Sequence, residues 1–293
     1  MQELKYKSLI REISSRYWIN SKGMEETLNT TIMQEKLILR CEDTLDGIFT
    51  AIYDAFVYKK QIGEAYNDSI SIAIGEEGEL TLFSTEIEVQ TDPVKAQKTI
   101  GAIQRQLGGF VYERVFHALC HYDADRATIV LGFLVRGFKK GPRVEEEMAD
   151  PYVMRVLELS RKVYNEEQLM NGFLRFSDNG RFLYSAIEPK CDLIPVIMWH
   201  FADRYPGENF VILDSRRRYG VVHPAGKGCF YISGEDFFEI ESSLPKEQDQ
   251  FELMWKEYFK HMEIKERHNE NCQRNLCPKW YRKNMLEFDK EQT

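Results

Sequence analysis

Residues 172–215 read GFLRFSDNGRFLYSAIEPKCDLIPVIMWHFADRYPGENFVILDS, and the order of periodicities in this stretch decides the fold. GFLRFS and RFLYSAIE flank Asp178-Asn179-Gly180. Asn-Gly readily supplies the positive φ that a tight turn needs, so this dipeptide predicts a hairpin. LIPVIMWHFADRY (193–205) then reads as a helix and FVILDS (210–215) as a strand, with YGVVHP (219–224) and GCFYIS (228–233) as two more. Strands and helices interleaved in this way predict an α+β fold.

Upstream, KLILRC (36–41) is a short apolar run suited to a buried strand, and DTLDGIFTAIYDAFVYKK (43–60) places Ile48, Ile52, Ala55 and Phe56 at helical spacing behind Asp43 or Thr44 as N-cap. SISIAI (69–74) and ELTLFS (79–84) alternate as strands do, and the intervening GEEG predicts a hairpin. From Pro93 the period changes to 3.6. VKAQKTIGAIQRQL, FVYERVFHALCHY, ATIVLGFLVRGFKKG and DPYVMRVLELSRKVYNEEQLMNG are expected helices, the last with Pro151 in its first turn. QFELMWKEYFKHM and QRNLCPKWYRKNMLEF are expected to close the chain as helices. The helical middle either packs on one sheet or separates two, giving one large domain or two tightly associated lobes.

The chain has 293 residues, 43% of them hydrophobic, enough to build a core without disulfides or metal. Its net charge of −8 argues against a surface coated in non-specific nucleic-acid affinity, but not against a local basic patch. No secretory signal or transmembrane run is present, and the six cysteines show no disulfide framework, so a reduced, cytoplasmic protein is expected.

Several constellations invite a chemical reading. His117, Cys120 and His121 share a helical face, but the surrounding VFHALCHY is apolar and core packing is the simpler reading. Cys272 and Cys277 are spaced more widely than a zinc pair and have no mate, so no metal site and no cofactor are expected. Asp178 with Glu188-Pro-Lys190 has the outline of a Mg²⁺-dependent nuclease set, though Asp178 is already occupied by its turn. Arg216-Arg217-Arg218 follows a strand end and could fork phosphates or pair with nearby acids; Lys139, Lys140 and Arg143 read as a solvated loop. From Lys256 to Lys283 eight basic residues face four acidic ones, and Lys279-Trp280-Tyr281-Arg282-Lys283 interleaves aromatics with cations, as base stacking beside phosphate contacts requires. A C-terminal helix with one aromatic buried is the plainer alternative.

Five stretches together resemble one family: DTLDGIFTAIYDAF (43–56), DPYVMRVLELSRKVYNEEQLMNGFLRF (150–176), YSAIEP (184–189), HFADRYPGENFVILDSRR (200–217) and IKERHNENCQRNLCPKWYRKNMLEF (264–288). The chain looks like a member of the bacterial family built on domain of unknown function 4130, labelled DNA repair or DNA metabolism proteins. The resemblance implies a family domain over 35–290, with lobes 35–145 and 146–290, behind an N-terminal extension, residues 1–34, that is poorly ordered or follows a non-native start. It also implies a radical-SAM DNA-modification or repair protein as partner. Some relatives carry a fused uracil-DNA-glycosylase-like domain; here a stand-alone form is expected, with any base chemistry belonging to the partner.

The residues matching the family pattern are Asn165-Glu166, Arg175, Glu188-Pro189, Ala202-Asp203-Arg204, Asp214, Arg216-Arg217, Arg267, Asn269, Gln273, Pro278-Lys279 and Tyr281; the pattern does not require Lys190, Cys272 or Cys277. The resulting expectation is a DNA-binding or adaptor subunit without a membrane segment. Arg175, Arg204, Arg216, Arg217, Arg267, Asn269, Gln273, Lys279 and Tyr281 are the candidate nucleic-acid contacts. Two alternatives stand beside it. One is a metal-dependent nuclease or base-processing enzyme using Glu188, Asp192, Asp203 or Asp214; the other is a protein scaffold without nucleic-acid contact.

Overall fold

In the computed structural model the described residues are 36–62, 69–75, 84–245, 250–262, 264–267, 269–282, 285–286 and 288. The expected extension over 1–34 lies outside them. Contacts divide the chain into two compact units, residues 1–107 with 127–141, and residues 108–126 with 142–293.

The first unit begins with β1 (Lys36–Cys41), where Leu37, Leu39 and Cys41 alternate inward. The Thr44 hydroxyl then accepts the Gly47 N–H at 3.0 Å and caps α1 (Leu45–Ile62), as one of the two candidate caps predicted. β2 (Ile70–Ile74) and β3 (Ser84–Glu88) both run parallel to β1, one on each side. β3 shares only Ser84 with the strand expected over 79–84, so this pair is not the hairpin predicted through GEEG. Residues 76–83, which hold most of the second predicted strand, lie outside the described set. α2 (Pro93–Leu107) packs against α1. α4 (Arg126–Lys140) returns to this unit, where the Thr128 hydroxyl exchanges hydrogen bonds with the Ile72 N–H and carbonyl at 2.9 and 3.0 Å.

The second unit is built on α3 (Gly109–Leu119) packed against the long α5 (Pro151–Phe173). Asp150 caps α5, its carboxylate accepting the N–H groups of Tyr152 and Val153 at 2.9 and 3.4 Å. Val153, Val156, Leu159, Val163 and Met170 then bury one face. α3 thus groups with the second unit, a departure from lobes divided at 145/146.

The sheet of this unit has the order β4-β5-β6-β7-β8. β4 (Ser177–Asp178) and β5 (Leu183–Ile187) form the predicted hairpin, with Gly180 at φ 81°. α6 (Ile194–Arg204) crosses over to β6 (Phe210–Asp214), which lies parallel to β5, and β7 (Tyr219–His223) and β8 (Phe230–Ser233) continue antiparallel. Every residue of β6 is buried. Val211 and Leu213 face Phe237 of α7 (Gly234–Ser243), while Phe210 stacks with Phe176 and His223. Both faces of the central strand are therefore covered, as a parallel pair requires.

The C-terminal segment comprises α8 (Gln250–Met262), a short turn of helix at Lys265–Arg267, α9 (Glu270–Leu276) and α10 (Lys279–Arg282). The single closing helix expected over 273–288 is broken at Cys277-Pro278, because proline offers no N–H to continue α9. No helix among the described residues is long and apolar enough to cross a membrane.

Candidate nucleic-acid interface

The carboxyl ends of β5 and β6 lie side by side because the two strands are parallel. In open sheets this is the edge at which ligands bind. The connection that emerges there, Glu188-Pro189-Lys190-Cys191-Asp192, is fastened at almost every peptide. Ser215 N–H donates to the Ile187 carbonyl at 3.0 Å and Asp192 N–H to the Cys120 carbonyl at 2.8 Å. Arg217 donates to the Lys190 and Pro189 carbonyls at 2.6 and 3.4 Å. The Trp280 indole N–H donates to the Glu188 carbonyl at 3.1 Å.

Two buried carboxylates organise these contacts. Asp214, fully buried, accepts the backbone N–H groups of Arg216 and Arg217 at 3.0 and 3.1 Å and the Arg217 guanidinium at 2.9 Å. Burial pushes its pKa up, while Arg217 pulls it the other way. Glu166, on the buried face of α5, accepts Lys190 N–H and Cys191 N–H at 2.8 Å each and the Tyr281 hydroxyl at 2.9 Å. It ties helix, loop and C-terminal segment together. Burial, with Glu166 beside it, raises the pKa of the Tyr281 phenol, so that group stays a hydrogen-bond donor. The Asp192 carboxylate accepts the Tyr219 hydroxyl.

What this scaffold presents outward is cationic and aromatic. The Lys190 ammonium lies 5.5 Å from the centre of the Trp280 ring, and both side chains are exposed, as are Arg216 and Lys279. Two residues after Cys120, whose carbonyl accepts the Asp192 N–H, the Tyr122 ring is stacked on buried His121 at 4.2 Å with 25° between planes. The Asp123 N–H donates to His121 Nδ1 at 3.0 Å, so the ring proton sits on Nε2, which has no hydrogen-bond partner. Burial, reinforced by nearby Lys162, lowers the His121 pKa and keeps the ring neutral.

Of the predicted nucleic-acid residues, Arg216, Arg217, Lys279 and Tyr281 come together at this edge, although Arg217 and Tyr281 are engaged inward. The others lie elsewhere. Arg175 donates to the Gly172 carbonyl at 2.8 Å and lies 5.8 Å from the Trp255 ring. Arg204 ends α6, which is eleven residues long and therefore carries Arg204 and Asp203 roughly 16 Å from the loop. Arg267 and Gln273 flank the start of α9, and Asn269 is its N-cap, accepting Cys272 N–H at 2.9 Å.

Of the four candidate catalytic carboxylates, Asp203 is at the far end of α6, while Asp192 and Asp214 have Arg217 and Tyr219 as common neighbours and are spent on them, Asp214 on the Arg217 guanidinium and Asp192 on the Tyr219 hydroxyl. Asp178 is in register with Leu183, so the five residues of β5 separate it from Glu188 by roughly 17 Å. That pair cannot share a cation. Among the described residues no group of three or more His, Cys, Asp or Glu side chains is placed to hold a metal ion. His117 is a packed residue: Nδ1 donates to the Glu113 carbonyl at 2.8 Å and Nε2 faces Glu167 at 3.1 Å. Cys277 lies 3.5 Å from the Met285 sulfur.

The site thus defines an α+β domain with a clamped loop at the ends of two parallel strands. A family model, described as domain of unknown function (DUF4130), matches residues 124–287, and the chain belongs to that family. None of the curated proteins matches it. A solved structure described as the DHH domain of a member of a ribosomal-protein family aligns over 77% of this chain and 85% of its own at 13% identity and a TM-score of 0.29, a likeness too slight to carry a fold or a function across.

Sequence reasoning missed the organising role of Glu166 and set Lys190 only within the nuclease outline. An acid three residues after Val163 and four before Met170, on an otherwise apolar stripe, was the available signal. The exposed, stacked Tyr122 gave no signal of its own.

Proposed function

We propose that this chain is a DNA-binding or adaptor subunit in DNA repair or DNA metabolism, working beside a radical-SAM DNA-modification or repair protein. The observation that carries the reading is the Lys190–Trp280 pair, a cation near an exposed indole, with exposed Lys279 next to Trp280 in α10 and exposed Arg216 in the turn that Asp214 fastens. Cations meet phosphates and aromatic faces accept bases; a preformed arrangement binds without first being ordered. The acidic remainder of the molecule confines that attraction to the edge. The carboxylates, dispersed or spent on structural partners, favour binding over hydrolysis by this chain.

The adaptor half of the reading is supported by α8. It leaves Phe251, Met254, Trp255, Tyr258, Phe259 and Met262 exposed, and aromatic and methionine side chains are the residues enriched in protein interfaces. The test is DNA binding across a salt series, with a Lys190→Glu/Arg216→Glu/Lys279→Glu variant in parallel. Salt-sensitive binding abolished in the variant supports the reading. Binding unchanged in the variant, or no binding with or without the partner, rejects it. Arg217 is left intact because it holds the loop, and its loss would confuse unfolding with lost affinity.

A further inference from the structure

We infer that Tyr122 and Trp280 form a stacking platform for two bases of a single-stranded nucleic acid, with Lys190 between them as the phosphate contact. This deepens the nucleic-acid reading above and rests on it.

Three observations converge. First, both rings are exposed, Tyr122 by 55% and Trp280 by 42%, although large aromatic side chains ordinarily gain most from burial. Second, both are fixed in place. Trp280 is held by its N–H on the Glu188 carbonyl, and Tyr122 lies on His121, itself buried and pinned through Nδ1. Little side-chain freedom remains to be lost on binding. Third, both are anchored to one loop. Trp280 holds the Glu188 carbonyl, and Cys120, two residues before Tyr122, accepts the Asp192 N–H at 2.8 Å; Glu188 and Asp192 are four residues apart, so their Cα atoms are separated by at most about 14 Å, and Lys190 lies between them in the chain.

The chemistry of the ligand follows. Flat π-faces bracketing an ammonium group suit a chain of planar bases joined by phosphates. In a duplex those faces are covered by neighbouring bases and only edges and backbone are accessible. The platform can therefore be used by an unpaired strand, or by bases turned out of the stack. The cations Lys190, Arg216 and Lys279 favour an anionic ligand here, in contrast to the aromatic and methionine side chains that α8 exposes.

The experiment compares three labelled probes: an oligothymidylate, a duplex of the same length, and a single strand of the same length without bases. The full chain, Tyr122→Ala, Tyr122→Phe and Trp280→Phe are titrated at low salt, and a thermal melt verifies folding of each. The expected result is oligothymidylate bound more tightly than either other probe. Tyr122→Ala should weaken that binding roughly ten-fold, in the range measured for loss of one stacked base, while Tyr122→Phe retains it. Tryptophan fluorescence should be quenched on binding in the wild type and largely unquenched in Trp280→Phe. The base-free strand or the duplex binding as well as oligothymidylate, with Tyr122→Ala unchanged, overturns the inference while leaving a phosphate-binding edge. Failure of every probe overturns it together with the nucleic-acid reading.

Discussion

At the residue scale, the molecule turns on what its buried charges hold. Glu166 satisfies two backbone N–H groups and a phenol at once, so removing its carboxylate leaves three donors without an acceptor. Each orphaned donor costs about 1–3 kcal/mol. Glu166→Ala is expected to lower stability by roughly 3–5 kcal/mol, and Glu166→Gln by less, read as a shift of the urea midpoint. His117 supplies a pH dependence. Although burial opposes its charge, Glu167 and the Glu113 carbonyl outweigh that and raise its pKa above the ordinary 6.5. A raised folded pKa means that stabilisation is complete below the ordinary value and is lost as pH rises through the folded value. The stability difference between wild type and His117→Gln should therefore shrink as pH increases above about 6.5; a constant difference would rule out the ion pair as its source.

At the scale of elements, the sheet has little room to spare where β7 crosses β6. A Cβ on Gly220 would come within 2.5 Å of the Ile212 carbonyl oxygen and 2.9 Å of a Leu213 methyl. Gly220→Ala should cost about 1–3 kcal/mol, the usual penalty of overpacking. Gly207→Ala, with nothing within 4 Å of the added atom, serves as the control in the same denaturation series. The contrast also shows what can be read from a sequence. The Asn179-Gly180 hairpin and the start of α5 at Pro151 were legible because each depends on a few adjacent residues. The arrangement of β2 and β3 on opposite sides of β1 was not, since an apolar run such as KLILRC does not say which strands flank it. The edge itself was half legible. Arg216 and Lys279 stood out as charges, but that Arg217 belongs to Asp214 depends on the turn geometry at the end of β6. That Tyr122 lies beside residues 188–191 depends on tertiary packing, which no local pattern records.

For the whole molecule, a net charge of −8 and a small basic edge oppose each other. Binding should be confined and steeply salt-dependent. For a single strand, each phosphate contact contributes about 0.7 to the slope of log affinity against log salt. The Lys190→Glu/Arg216→Glu/Lys279→Glu variant should accordingly lose about 2 from that slope, if any binding is retained to be measured. An unchanged slope would place the contacts on another surface.

The chain passes between the two units three times, after residues 107, 126 and 141. The N-terminal end leaves the ribosome first, so this path sets an order of events during synthesis. The first unit has all its residues once α4 has emerged. α3, by contrast, carries Val111, Val115, Ala118 and Leu119 on a face that waits for α5. For the time taken to translate some thirty to fifty further residues, a few seconds at ordinary rates of synthesis, that apolar face lacks its α5 cover. The nascent protein thus carries an uncovered apolar stretch in its middle, and a pause in translation shortly after α4 would prolong this exposure more than a pause after α5.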